Sequence, residues 1–240
     1  MELLVLALGI VAAAADFCGG LFVVSRPWQR ISLKYFMALG SGFMLAAALL
    51  EMMPESFELL GHSAAVWMLG CYLLIHFVEH TLSSHFHFGE EIHTEEVASQ
   101  QRSNTVLFGL IIHAFMDGIA IASGFLVSEW LGWVVFLAVF LHKMPEGFAV
   151  GSVMLAAGKS KRSAAMAAGI LGLSTIAGVI CMFALKQWVA YTLPLSAGVT
   201  LYIAASDLIP EVNQEPGIWM AIIVFVGVFM MLSLEWLFGF

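Results

Sequence analysis

The chain has 240 residues, of which 61% are apolar and only 11% charged, and its mean hydropathy is +0.96. Soluble domains run at about 45–50% apolar and about 25% charged, so a water-soluble fold of this size has no interior large enough for the excess. With 9 Lys and Arg against 17 Asp and Glu there is no basic patch for nucleic acid, and a soluble enzyme or a disordered chain is excluded as well.

A membrane-crossing helix needs about 20 mostly apolar residues. Eight stretches qualify, near 3–24, 32–53, 63–82, 104–126, 131–157, 163–186, 190–213 and 217–238. Short polar or Gly/Pro punctuation separates them, as in Ser25-Arg26-Pro27, Pro54-Glu55-Ser56, Gly158-Lys159-Ser160 and Glu215-Pro216-Gly217. Transmembrane β-strands would alternate in polarity over about ten residues, and Val134 to Leu141 does not. The sequence therefore predicts an all-α integral membrane protein, with eight transmembrane helices in one bundle and residues 1–240 as a single domain. Basic residues set orientation. Seven of the nine (Arg26, Arg30, Lys34, Arg102, Lys159, Lys161, Arg162) fall in the loops after the first, third and fifth spans. Those loops are expected to be cytoplasmic and both termini extracytoplasmic, in a multi-pass protein of the cell membrane, of prokaryotic inner-membrane type. Met1-Glu2-Leu3-Leu4 lacks the basic stretch of a cleaved signal, so the first span is expected to be retained. Cys18, Cys71 and Cys181 show no metal-like spacing and read as small core residues.

The longest connection, 83–103, holds His85, His87 and His93 among Glu90, Glu91, Glu95 and Glu96. It reads either as a solvated acidic loop on the cytoplasmic side or as a weak metal-binding tract, since imidazole and carboxylate both bind divalent cations. No repeat with a period of 20–50 residues is visible.

Ionisable residues within spans are costly, and each is a functional hypothesis. The fourth span contains His113-Ala114-Phe115-Met116-Asp117-Gly118 and the fifth His142-Lys143-Met144-Pro145-Glu146-Gly147. Each places a carboxylate four residues after a His, which puts both on one helical face about 5–6 Å apart at Cβ. Two such faces turned together offer two imidazoles and two carboxylates to one point. That set suits a borderline divalent metal, zinc first, with cadmium, iron and manganese as competitors. Pro145 removes a backbone donor and predicts a kink, with the Leu141 carbonyl freed. Gly118 and Gly147 permit close helix packing.

The two motifs resemble those of the Zrt/Irt-like (ZIP) family of divalent-metal transporters, whose fourth and fifth helices carry H-N-x-x-[DE]-G and H-E-x-P-E-G. Gly40 to Ala47 leading to Glu51 and Pro54-Glu55 is similar to the family's second helix, and Gly198 to Tyr202 leading to Asp207 and Pro210-Glu211 to its seventh. The resemblance covers essentially the whole chain. It implies import of a divalent metal into the cytoplasm by an elevator-like or rocking bundle, as a homodimer in the lipid bilayer. The metal would be cargo rather than cofactor. The primary site would be His113, Asp117, His142 and Glu146, with Met44 as a soft neighbour; His142 stands either as a ligand or just behind the ligands.

Many family members hold a second metal, and here its ligand positions are occupied by Ala114, Lys143 and Thr175. The Lys143 ammonium would sit where the second cation sits, one positive charge replacing another and keeping the carboxylates paired. A mononuclear site is expected. Glu51, two turns outward of Met44, and Glu55 would recruit cations from outside. On the inner side His76, Glu79 and His80, and the pair Asp207 and Glu211, would receive the ion or merely cap the helices. Asp16 and Glu235 find no role in the sequence. Two other classes remain open: a membrane-embedded zinc hydrolase, which would need a water position and a general base though no H-E-x-x-H occurs, and a metal-binding sensor without transport.

Overall fold

The computed structural model describes residues 1–25, 30–82 and 100–238. Arg26, His85, His87, Glu90, Glu91, His93, Glu95 and Glu96 lie outside the described residues, as do the side chains of Arg30, Glu79, His80 and Arg102. Among the described residues every regular element is helical.

Eight helices follow the eight apolar segments. They are α1 (Glu2–Ser25), α2 (Arg30–Ala46, continued through Ala47–Met52 and Met53–Leu60), α3 (Ser63–Leu82), α4 (Gln100–Val127), α5 (Glu129–Ala156), α6 (Lys161–Ala184), α7 (Val189–Tyr202, continued through Ile203–Leu208 and Ile209–Val212) and α8 (Trp219–Phe238). Seven are long and apolar enough to cross a membrane, and α3 contributes a shorter apolar stretch, Ser63–Val78. The chain is a multi-pass membrane bundle. Large apolar side chains cover its outside, and α8 is the clearest case: Trp219 and Trp236 are exposed near its two ends. They are seventeen residues apart, about 26 Å along a helix. That separation suits aromatic residues anchored at two interfaces.

Local chemistry starts two of the site-bearing helices. Ser128 accepts the Leu131 amide at 3.1 Å to open α5, and Ser160 accepts the Ser163 amide at 3.1 Å to open α6. Each hydroxyl satisfies a first-turn N–H that has no intrahelical partner. Helix α5 remains one helix through Pro145. The Leu141 carbonyl beside it faces Gly40 of α2, where an added Cβ would come to 3.5 Å from the oxygen.

Helices α2 and α7 share a feature with no counterpart in the sequence reading. Each widens into a π-helix, Ala47–Met52 and Ile203–Leu208. The prolines Pro54 and Pro210 follow at the same offset, within the same pattern of acid, two apolar residues, Pro and Glu. Proline has no N–H to give the carbonyl a turn earlier, and the wider turn redistributes the bonds around that gap. Such π segments are frequent at functional sites. Lys34, read as a loop residue, belongs to α2 and is buried there.

Helices α1, α4, α5 and α6 pack on one another, α2 packs on α8, and α3 on α7; α2 also touches α5, and α4 touches α7. Small residues set the closest approaches. A Cβ on Gly147 would run into the Asp16 carbonyl of α1, and one on Gly118 into the Thr175 carbonyl of α6. The backbones of α1 and α5 are therefore in contact beside the acidic part of α5. Gly147→Val should overpack that contact, at a cost of at least about 1–3 kcal/mol. A lower melting temperature in detergent is the expected reading. Gly70→Ala on α3, with open space around its Cβ position, should leave the melting temperature unchanged or slightly raised.

Candidate metal centre

Four side chains from the two motif helices meet at one point. His113, Asp117, His142 and Glu146 are all buried, and one ligand atom from each lies within 4.8 Å of every other. His113 Nε2 is 3.3 Å from Asp117 Oδ2. His142 Nε2 is 3.2 Å from the same oxygen, and the two Nε2 atoms are 3.5 Å apart. Glu146 Oε2 stands 4.0 Å from His113 Nε2. Zinc–nitrogen and zinc–oxygen bonds of about 2.0–2.2 Å imply ligand–ligand edges of roughly 3.3 Å in a tetrahedral site. The two imidazoles and Asp117 already form such a triangular face.

The orientation of His142 adds to this. Its Nδ1 lies 3.0 Å from the Ala138 carbonyl, which can only accept, so Nδ1 carries the proton. That hydrogen bond turns Nε2 inward, as in metal-binding imidazoles whose other nitrogen is held by a carbonyl. Nε2 faces a carboxylate oxygen and a second imidazole nitrogen, an arrangement that a shared cation would satisfy.

Lys143 is fully buried beside these groups. Its Nζ donates to Glu146 Oε2 at 2.7 Å and pairs with Asp117 Oδ2 at 2.8 Å. The ammonium therefore bridges the two carboxylates that the motifs bring together. It also lies 3.4 Å from Asp16 Oδ2. Asp16 is one of the two acids, with Glu235, that find no role in the sequence. Its only local signal was a charged residue in mid-span; the helix face that meets α5 is set by the glycine contacts, which no local pattern reveals.

The other expected residues lie on α2, α3, α4, α6 and α7. Met44 is buried on α2 and Ala114 on α4. Thr175 is buried and turns its hydroxyl back to the Leu171 carbonyl at 3.4 Å, within its own helix. Glu51 accepts a hydrogen bond of 2.9 Å from the Trp130 indole N–H at the start of α5, a partner the sequence reading missed, and Glu55 is half-buried one turn on. His76 is exposed, with its ring centroid 6.1 Å from that of Tyr202. Asp207 and Glu211 are buried at the end of α7, and Lys34 pairs with Glu211 at 3.2 Å and with Glu215 at 2.7 Å. Since Lys34 begins α2, the two helices run antiparallel, and Glu51 and Glu211 mark opposite ends of the bundle.

A membrane bundle with buried imidazoles and carboxylates converging from adjacent helices presents a candidate cation site within its spans. The profile of the ZIP zinc transporter family matches residues 2–105 and 89–235, and the chain belongs to that family, one of transporters rather than enzymes. It is similar to zinc transporter ZIP13 of Pongo abelii, 31% identical over 131 residues, or 52% of this chain and 40% of the relative. Zinc transporter ZIP9 of Xenopus tropicalis is 25% identical over 256 residues, 86% of this chain and 84% of the relative. Zinc transporter ZIP9 of Micropogonias undulatus is 32% identical over 143 residues, 55% of this chain and 46% of the relative. The match thus spans well under half of the ZIP13 relative's length and most of that of the Xenopus ZIP9.

The Lys34 cluster allows a direct test. Removing one partner of a buried pair strands the other charge, at a cost of about 3–5 kcal/mol. Lys34→Met should therefore lower the melting temperature sharply. Lys34→Met combined with Glu211→Gln should recover most of the loss.

Proposed function

We propose that this chain carries divalent transition-metal cations, zinc foremost, across the membrane into the cytoplasm through a mononuclear site formed by His113, Asp117, His142 and Glu146. The observation that carries the reading is the triangle of His113 Nε2, His142 Nε2 and Asp117 Oδ2, with edges of 3.2–3.5 Å. Those edges match the spacing of a tetrahedral zinc site. Glu146 lies on the fourth side, and its Oε1 accepts no hydrogen bond. Imidazole and carboxylate together also admit cadmium, iron and manganese, which differ in preferred coordination rather than in ligand type.

Lys143 takes the place of a second metal. Its ammonium bridges Asp117 and Glu146 at 2.8 and 2.7 Å; Ala114 offers no ligand to a neighbouring cation, and the Thr175 hydroxyl turns back to its own helix. A cation arriving from outside meets Glu51 and Glu55 first, with Met44 flanking the centre, and leaves past Asp207, Glu211 and His76. The termini face outward, residues 1–240 work as one transmembrane domain in a cell membrane, and the assembly is a homodimer; the distribution of basic residues and the family resemblance support these parts of the reading.

Uptake of radiolabelled zinc into proteoliposomes tests the site. His113→Ala and Glu146→Ala should each cut initial rates more than about 100-fold, beyond the loss seen for outer partners of metal ligands. Both variants should fold, since Lys143 keeps other acids. Wild-type flux in either one contradicts the assignment. Glu51→Gln keeps an acceptor for Trp130 but loses its charge. It should raise the half-saturating zinc concentration by roughly tenfold, the lower range of electrostatic focusing, with little change in maximal rate; an unchanged concentration dependence removes Glu51 from the route.

A further inference from the structure

Asp16 is fully buried on α1, and its Oδ1 accepts no hydrogen bond. Its ion pair is with Lys143, at 3.4 Å, while the same ammonium lies 2.8 Å from Asp117 and 2.7 Å from Glu146. Three acids from α1, α4 and α5 thus surround one cation, which is drawn to the metal-site side of the ring and leaves Asp16 with the longest contact. An acid at that depth is costly unless well paired.

Metal loading changes the balance of the ring. A divalent cation bound by Asp117 and Glu146 takes the charge of the two acids that hold the ammonium, and it repels the ammonium from a few ångströms away. The ammonium is a compact charge on a flexible four-carbon stem, so it can move by part of an ångström without any shift of backbone. Among the described residues, Asp16 is the carboxylate within its reach that stands outside the four-ligand group. The backbones are already in place, because Gly147 lets α5 lie against the Asp16 carbonyl.

We propose that Asp16 is a positioning residue that receives the Lys143 ammonium when the metal binds and gives it back when the metal leaves. The inference rests on the central-site reading above and deepens it. Handover leaves every charge in the ring with a partner once the metal is bound. Without Asp16, the incoming metal would have to force the ammonium off Asp117 and Glu146 with no other carboxylate to take it. Asp16 thereby favours the loaded site without touching the ion.

The experiment measures zinc affinity by calorimetry on the purified full chain, with uptake kinetics beside it. Asp16→Asn should weaken zinc binding about tenfold, a typical coupling between sites. The loss should fall on the half-saturating concentration more than on the maximal rate, and Asp16→Glu should restore most of it. In a Lys143→Met background Asp16→Asn should cause no further loss, because there is no ammonium to receive. A loss of equal size in that background would mean that Asp16 only attracts the cation by its charge, and would overturn the handover. Unchanged affinity in Asp16→Asn would overturn it as well. Should Asp16→Asn fail to fold, structures of the wild type with zinc and after chelation decide: the Nζ–Asp16 separation should fall to hydrogen-bonding distance with zinc, and an unchanged separation contradicts the proposal. His113→Ala is the control. Retained binding there defeats the central-site reading itself, whereas lost binding there together with wild-type behaviour of the Asp16 variants defeats the handover alone.

Discussion

A buried ammonium among three carboxylates is the constraint on which the rest of this bundle turns. Lys143 is fully enclosed, and a charge at that depth persists only where partners come to it. Asp117 comes from α4, Glu146 from the next turn of α5, and Asp16 from α1. Bringing these helices that close requires bare backbone at the contacts, and Gly147 provides it where α5 lies against α1. The same convergence fixes the two imidazoles, because Asp117 Oδ2 faces His113, His142 and Lys143 together. The ammonium and the imidazole pair lie against one carboxylate oxygen, so a metal at the imidazoles and the charge of Lys143 must influence each other.

Along the bundle the charged groups are held in distinct ways. At one end Glu51 is tied to Trp130, which links α2 to the start of α5. At the other, Lys34 holds Glu211 and Glu215 together. Glu51 lies within the π-helical turn of α2 and Asp207 within that of α7, and a Pro-Glu pair follows each. The repeated pattern, run in antiparallel helices, places an irregular turn and a pair of acids toward each end of the bundle. On the proposed reading these are where a cation gains and loses its water, and the central site is where it is held by nitrogen and oxygen alone.

Much of this was legible in the sequence, because it depends on spacing within a helix. His113 with Asp117, His142 with Glu146, and Lys143 with Glu146 share faces by helical periodicity, and the eight apolar stretches gave eight helices. What was not legible depends on contacts between helices. The place of Asp16 follows from which side of α1 meets Gly147. The burial of Lys34 follows from its pairing with α7; taken alone it resembled a loop cation of the kind that marks the cytoplasmic side. The partner of Glu51 is an indole whose apolar neighbours gave no sign of its polar use. The π-helical turns arise from prolines that in sequence resembled simple stops.

The central claim is that one positive side chain stands in for a second metal, so the number of ions at the centre tests it most directly. Anomalous scattering from crystals grown with zinc or cadmium, supported by calorimetric stoichiometry, should give one central ion per chain bound by His113, Asp117, His142 and Glu146, with Lys143 beside it. Two ions sharing Asp117 and Glu146, with Lys143 turned away from both, would contradict the account.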